Sequence, residues 1–375
     1  MKNLALKYRP KDLSDFIGQD IIVQTLTNAI KNNNLKQAYI FQGNLGCGKT
    51  SAARVLAASV NCLNTPGLNP CGKCDICTGI FNGNHDDIRE IDAASSAGSV
   101  DEIRKIKNES LYNPINGAKT KFFIIDEFHR VSASGNDAIL KLLEEPPPRV
   151  VFILCTTDIH KIRPAIQSRC QIHFFKKIPW ALIADRLLAI ANKENITLDK
   201  SAANLCARIS DGSMRTALTN LDHLIDFVGD NNISAEKAQS LFGYASEMMY
   251  YDLFDTLLGV EEPDNKPDAS KGFGIINKML SSGCDFSIIQ QGISNHLYNL
   301  MVILTCSKAS ELIYMSEEGK RRIKNHAKKC QEGKKLQSVL SSIGLLADSQ
   351  KEIEFNISPE LALQKWFLGS LFIFR

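Results

Sequence analysis

The sequence predicts a parallel α/β domain built round a phosphate-binding loop, interrupted by a four-cysteine insertion and followed by helical domains. Three observations predict it. Gly43-Asn44-Leu45-Gly46-Cys47-Gly48-Lys49-Thr50 fits G-x-x-x-x-G-K-[ST] between an apolar strand-like run, 38–41, and a helix-forming run, 51–60. Strand-like runs alternate with helical patterns up to about residue 175, and only helical patterns follow. Cys62, Cys71, Cys74 and Cys77 cluster in a turn-rich segment.

A chain of 375 residues is too long for one ordinary core, so two or three domains are expected. Hydrophobic residues at 44% and charged residues at 23% describe a soluble globular protein. The net charge of +3 is too near neutral to demand a nucleic-acid partner and leaves room for a local basic surface. No apolar run reaches the roughly 18 residues that span a bilayer. The N-terminus has no signal-peptide core, so a cytoplasmic protein with no membrane partner is expected. There the eleven cysteines are not a disulfide framework; the seven outside the cluster read as small core residues.

The segment 1–37 carries Tyr8-Arg9-Pro10 and Phe16-Ile17-Gly18-Gln19, then a helix over 20–32 with Ile21, Ile22, Leu26 and Ile30 at helical spacing. It reads either as packing alone or as an adenine pocket to which Tyr8, Arg9 and Ile17 contribute. In the loop, Gly43, Gly46 and Gly48 let backbone N–H groups turn inward round a polyphosphate, and the following helix adds its positive end. Lys49 would hold the β- and γ-phosphates and Thr50 would ligate Mg²⁺, with Ser51 next to them. Cys47 lies inside this loop, so alkylating it is expected to block nucleotide binding.

Cys62-x8-Cys71-x2-Cys74-x2-Cys77 has the spacing of a closed, structural Zn²⁺ site. An iron–sulfur cluster and unliganded thiols are the rivals, the first weakened because no cysteine follows Cys77 at the ferredoxin position. A short strand is expected at 88–92, a small-residue loop at 93–98 and a helix at 100–111. Lys121-Phe122-Phe123-Ile124-Ile125-Asp126-Glu127 then reads as a buried strand delivering two carboxylates to its C-terminal edge. Asp126 would hold Mg²⁺ and Glu127 would orient or activate a water for attack on the γ-phosphate. The bland alternative is a solvated strand edge.

A helix is expected over 134–145, stopped by Pro146-Pro147-Pro148, and a strand over 150–155 ending at Thr156-Thr157-Asp158, where a hydroxyl could reach the γ-phosphate or the water. A strand over 171–175 and a hinge at 176–179 follow. Residues 180–242 read as helices throughout, one starting at Gly212-Ser213-Met214-Arg215. Beyond lies a polar loop over 261–268, then helical periodicity to the end. Lys320-Arg321-Arg322-Ile323-Lys324 and Lys328-Lys329 read as a solvated helix face or as nucleic-acid contact.

These residues resemble the gamma/tau family of bacterial DNA polymerase III clamp-loader subunits, which are AAA+ ATPases. The likeness rests on Tyr8-Arg9-Pro10, Gly48-Lys49-Thr50, the four cysteines, Ile91-Asp92-Ala93-Ala94-Ser95, Asp126-Glu127-Phe128-His129, Leu142-Leu143-Glu144-Glu145-Pro146-Pro147, Thr156-Thr157-Asp158, Ser168-Arg169-Cys170 and Gly212-Ser213-Met214-Arg215. It is strong over 1–242 and holds in outline over 243–375.

The resemblance implies an AAA+ nucleotide-binding domain over 1–178, a helical lid over 179–242 and a helical collar over 243–375 that joins subunits in a ring. It implies that Arg169 is an arginine finger acting on a neighbour's γ-phosphate, that Thr157 is a first sensor and that Arg215 is a second sensor on the lid. It implies an ATPase that opens a sliding clamp and loads it on primer-template DNA. Two features bear on that likeness. The chain ends after the collar and so resembles the short form, and Ser95-Ser96-Ala97-Gly98-Ser99 carries no basic residue, leaving Lys141 as the candidate for a template phosphate. A non-hydrolysing scaffold subunit and a branch-migration AAA+ motor are the alternatives; the retained Lys49, Thr50, Asp126 and Glu127 argue against the first, and the cysteine module against the second.

Overall fold

The structure is a computed structural model of the chain. It describes residues 3–64, 69–95, 100–115, 117–242, 247–260, 266–281, 284, 286–306, 317–332, 336–354 and 357–374. Parts of three expected loops, 65–68, 96–99 and 261–265, lie outside the described residues. The chain divides into two compact units, Met1–Ser234 and Ala235–Arg375.

The first unit is organised by a five-stranded sheet of β1 (Ala38–Gly43), β2 (Ile88–Asp92), β3 (Lys121–Asp126), β4 (Val150–Thr156) and β5 (Gln171–Phe175), in the order β2-β3-β4-β1-β5. Every neighbouring pair is parallel. Central parallel strands are buried on both faces, which is why β1, β3 and β4 read as unbroken apolar runs. Side-chain alternation then divides two cores. Tyr39, Phe41, Phe122, Ile124, Val151 and Ile153 pack with α2 (Asp20–Lys31), α3 (Lys49–Asn61) and α4 (Asp75–Asn82). Ala38, Ile40, Phe123, Ile125, Phe152 and Leu154 pack with α5 (Val100–Ser110), α6 (Ala133–Glu144) and α7 (Pro164–Gln167). On α2 the buried stripe is Ile22, Leu26 and Ile30; Ile21, which shares their spacing only loosely, is 70% exposed.

A short N-terminal helix α1 (Leu4–Lys7) packs on the helical part of the same unit, α8 (Trp180–Lys193), α9 (Lys200–Ile209) and α10 (Met214–Val228). The Leu4 N–H donates to Asp222 Oδ2 at 2.8 Å, and Lys7 and Tyr8 both bind Glu194. Residues 180–242 are not helical throughout. Thr197–Leu198 and Asn232–Ile233 form a parallel pair, β6 and β7, closed by Asp199 N–H to the Ile233 carbonyl at 2.9 Å. Two-residue strands are too short to carry a period of two, so no pattern announces them.

The second unit holds α11 (Ala235–Phe242), α12 (Glu247–Leu258), α13 (Ala269–Ser281), α14 (Phe286–Thr305), α15 (Glu317–Glu332), α16 (Leu336–Glu354) and α17 (Pro359–Phe374), with no strand among the described residues. Phe254, Leu257, Ile293, Leu297, Trp366 and Phe367 form its core. Inside lies a polar cluster in which Arg322 binds Asp252 and Asp255, and His326 binds Asp255 and His296. Along α15, Arg321, Lys324 and Lys328 fall on the exposed face. No helix among the described residues is long and apolar enough to cross a membrane.

Candidate nucleotide site and metal knuckle

In this strand order β1 has β4 on one side and β5 on the other, and the loop leaving β1 turns over the C-terminal edge of the sheet, where ligands sit in open α/β folds. Glycine is required there for reasons of space. A Cβ on Gly43 would lie 2.5 Å from the Phe175 carbonyl oxygen, and Gly48, at φ +105°, closes to 3.0 Å from the Phe16 ring. Helix α3 starts directly at Lys49, two residues earlier than its sequence pattern suggests.

The charged groups converge on this loop. Lys49 is buried and its Nζ donates to the carbonyls of Gly43, at 2.8 Å, and Asn44, at 2.9 Å. Thr50 Oγ1 donates to Asp126 Oδ2 at 2.6 Å. Glu127 follows β3 with φ +49°, and its Oε2 accepts from Thr157 Oγ1 at 3.3 Å. Arg9 Nε donates to Ser51 Oγ at 3.1 Å. Burial first, then the nearby guanidinium groups of Arg54 and Arg215, push the Arg9 pKa below its ordinary value. That is the signature of a desolvated cation short of negative charge, in a place suited to an anion.

These groups line a cleft of about 280 Å³. Lys49, Thr50, Ser51, Asp126, Glu127, Arg9 and Arg215 are among its polar lining; Tyr8, Ile17, Phe16, Ile178, Ile190, Met214 and Leu218 are among its apolar lining. A cleft that brings cations together with aromatic and aliphatic walls suits a nucleoside polyphosphate. Thr50 and Asp126 supply hard oxygen donors side by side, a set that fits Mg²⁺. Thr157 meets the cleft through Glu127. Arg169 and Lys141 lie outside it. Arg169 is held by the Ala165 carbonyl at 2.7 Å and by Glu144 at 2.9 Å, and Lys141 is exposed on α6.

Sequence reasoning missed Met214 and Leu218 as cleft residues, and Ser213 as a neighbour of the phosphate loop. A three-and-four spacing of apolar residues from α10 was the available signal for the first two, but that spacing marks core as readily as pocket. Ser213 is placed by tertiary approach alone: a Cβ on Gly46 would lie 2.0 Å from its Oγ.

The four clustered cysteines meet beyond the far end of α3. Their sulfurs all lie within 4.8 Å of one another. Four thiolates at about 2.3 Å from one tetrahedral ion stand about 3.8 Å apart, so the set fits a single Zn²⁺. A cluster, in which the thiolates bind different irons, needs them further apart. Cys62 and Cys77 are buried, and the N–H groups of Lys73 and Cys74 approach Cys71 Sγ at 3.5 and 3.3 Å. Those donors hold the Cys71 thiol below its usual pKa, whereas burial pushes Cys77 up. A Zn²⁺ held by such a set would keep no water or substrate position and would be structural.

The parallel sheet, its phosphate loop with paired acids on the next-but-one strand, and the helical segment closing over them define a P-loop protein of the AAA+ class. Residues 18–179 match the family model described as DNA polymerase III, delta subunit. The chain is 32% identical to DNA polymerase III subunit gamma of Buchnera aphidicola over 96% of both chains. It is 39% identical to DNA polymerase III subunit tau of Bacillus subtilis over 74% of this chain and 48% of the relative, and 37% identical to the gamma/tau subunit of Mycoplasma genitalium over 75% and 46%. The chain belongs to the DNA polymerase III gamma/tau family. It spans about half the length of the tau and gamma/tau relatives. Among solved structures, the Thermotoga maritima RuvB Holliday junction branch migration motor matches with 17% identity and a TM-score of 0.47, covering 74% of this chain and 86% of that one.

Proposed function

We propose that this chain is an ATP-hydrolysing subunit of a DNA polymerase sliding-clamp loader, working in the cytoplasm. One observation carries the reading: within a single cleft, Lys49, the Thr50–Asp126 pair, Glu127, Arg9 and Arg215 converge as a polyphosphate and an attacking water would need them. In this reading Lys49 exchanges the Gly43 and Asn44 carbonyls for phosphate oxygens, and Ser51, Gly46 and Gly48 help to form the cradle. Tyr8, Ile17 and Phe16 wall the base. Thr50 and Asp126 hold Mg²⁺, whose charge offsets that of the phosphate oxygens. Glu127 orients the water and accepts its proton, and Thr157 steadies the carboxylate.

Arg169 does not line the cleft of its own chain. It acts across an interface, on ATP held by a neighbouring subunit, where a planar and permanently charged guanidinium meets charge developing on the γ-phosphate. Arg215, on the lid segment over 179–242, senses the bound nucleotide. The partners are other clamp-loader subunits in a ring, joined through the collar over 243–375, the sliding clamp, and primer-template DNA, with Lys141 on a template phosphate. Cys62, Cys71, Cys74 and Cys77 hold Zn²⁺ as a staple.

The test is steady-state ATP hydrolysis by the ring, with and without clamp and primed DNA, in the natural chain and in Glu127→Gln. Stimulation by both ligands, and its loss in the variant with ATP binding retained, is expected. An unchanged rate in Glu127→Gln would favour a non-hydrolysing scaffold.

A further inference from the structure

His129 lies in a single 3-10 turn, Phe128–Arg130, directly after Glu127. Its Nδ1 stands 3.2 Å from Thr156 Oγ1 and 3.3 Å from Glu127 Oε2. The Thr156 hydroxyl is fully buried at the end of β4; it donates to the Asp158 carbonyl at 3.1 Å and accepts the Asp158 N–H at 3.0 Å. A hydroxyl has one proton, so towards a third partner it can only accept. The ring proton therefore sits on Nδ1, directed at Thr156, and the same nitrogen stands 3.3 Å from the Glu127 carboxylate, which only accepts.

Glu127 has left the strand at φ +49°, so the sheet does not set where its carboxylate points. Two neighbours stand at Oε2: the Thr157 hydroxyl, which donates to it at 3.3 Å, and the His129 Nδ1, within ion-pair distance at 3.3 Å. Both are tied to the end of β4, His129 through Thr156 and Thr157 as its next residue. Among the described residues no hydrogen bond falls on Oε1, and Glu127 lines the cleft.

We propose that His129 is a positioning residue for Glu127. Its Nδ1–H, itself anchored by Thr156, holds Oε2 against the end of β4 and so presents Oε1 to water in the cleft. This rests on the reading of Glu127 as the residue that activates water. Misplacing a carboxylate by a rotamer leaves nucleotide binding untouched and slows the chemical step, because only the transition state needs the aligned oxygen.

The test uses the full chain in its ring, with kcat and ATP affinity measured on His129→Ala, His129→Asn, His129→Gln and Glu127→Gln. His129→Ala is expected to lower kcat roughly 10- to 100-fold, the usual cost of losing an orienting partner, with ATP affinity held within about twofold. His129→Asn, whose amide N–H falls near the Nδ1 position, recovers most of the rate; His129→Gln, which places it near Nε2, does not. The proposal is overturned if His129→Ala keeps the natural kcat while Glu127→Gln is inactive. It is also overturned if Asn rescues no better than Gln or Ala, or if ATP affinity falls in step with kcat. Should Glu127→Gln itself hydrolyse at the natural rate, the reading beneath the proposal fails, and that result is recognised without any His129 variant.

Discussion

Gly46, at the tip of the phosphate loop, approaches Ser213, the N-cap of α10, so closely that a Cβ on the glycine would lie 2.0 Å from the serine Oγ. The loop and the following helical segment are thus in contact within the first unit. Gly46 also has φ +73°, where an L side chain costs about 1–2 kcal/mol by itself. Gly46→Ala is expected to lower the urea midpoint and weaken ATP binding. Adding Ser213→Gly relieves the clash and leaves the backbone strain, so recovery in the double variant should be partial. Complete recovery would mean that the close approach alone excludes alanine.

The Thr50–Asp126 hydrogen bond places two metal-type oxygens side by side. Thr50→Ala and Asp126→Asn should therefore weaken nucleotide binding only when Mg²⁺ is present. Titrations in EDTA are expected to give the natural affinity. The same titrations in Mg²⁺ should show a loss of about 10- to 100-fold. Equal losses in both buffers would assign the pair to the fold of the loop instead.

Cys47 is 2% exposed, its Sγ donates to the Asn44 carbonyl at 2.9 Å, and burial pushes its thiol up. The thiolate that an alkylating reagent needs is withheld by the fold. Peptide mass spectrometry after iodoacetamide at neutral pH should find Cys306, which is exposed, modified and Cys47 intact. Both should react in urea. Rapid native labelling of Cys47 would mean that the loop opens in solution.

What could be read without coordinates follows from how local each signal is. The phosphate loop needs its glycines, lysine and threonine at fixed spacing, so Gly43 to Thr50 were legible as a unit, as were the four cysteines. The central strands were legible because burial on both faces leaves no polar residue to interrupt Phe122 to Ile125 or Val151 to Leu154. Contacts made only by the folded chain were not legible. Arg9 on Ser51, Ser213 against Gly46, and His129 on Thr156 join residues 27 or more positions apart and leave no periodic trace. The β6–β7 pair is hidden for another reason: two residues are too few for a pattern.

The four-cysteine cluster lies beyond the opposite end of α3 from the cradle. Thirteen helical residues separate the two ends by about 18 Å. Asn61, next to Cys62, accepts the N–H groups of Lys119 and Thr120 at 2.8 and 3.0 Å and so ties the cluster to the loop entering β3. Removing Zn²⁺ with a chelator, or making Cys74→Ser, should lower the melting temperature and expose those two amides to hydrogen exchange. ATP affinity should stay within about threefold. A collapse of ATP binding at a temperature where the chain remains folded would give the metal a role in the cleft.

In the second unit His326 Nε2 lies 2.6 Å from Asp255 Oδ1, and His326 Nδ1 lies 3.0 Å from His296 Nε2. The carboxylate can only accept, so His326 donates from Nε2. Burial, then the nearby His326 and Arg322, push the His296 pKa well below its ordinary value. The sign follows directly. The unfolded chain takes up this proton near pH 6.5 while the folded unit resists it, so unfolding binds a proton in acid. The contribution is complete above about pH 6.5 and is lost below it, by at most about 1.4 kcal/mol per pH unit for one group. Burial pushes Asp255 up, but its bonds from His326 and Arg322 prevail and hold it below its usual pKa, which matters only near pH 4 and lower. The urea midpoint of this unit, followed in the full chain by Trp366 after Trp180→Phe, should therefore fall between pH 6.5 and 5.5. In His296→Gln, which keeps a donor and cannot titrate, the same interval should be flat, although stacking on Phe254 is lost and the midpoint at pH 7.5 is lower. Parallel decline in both chains would place the acid sensitivity elsewhere.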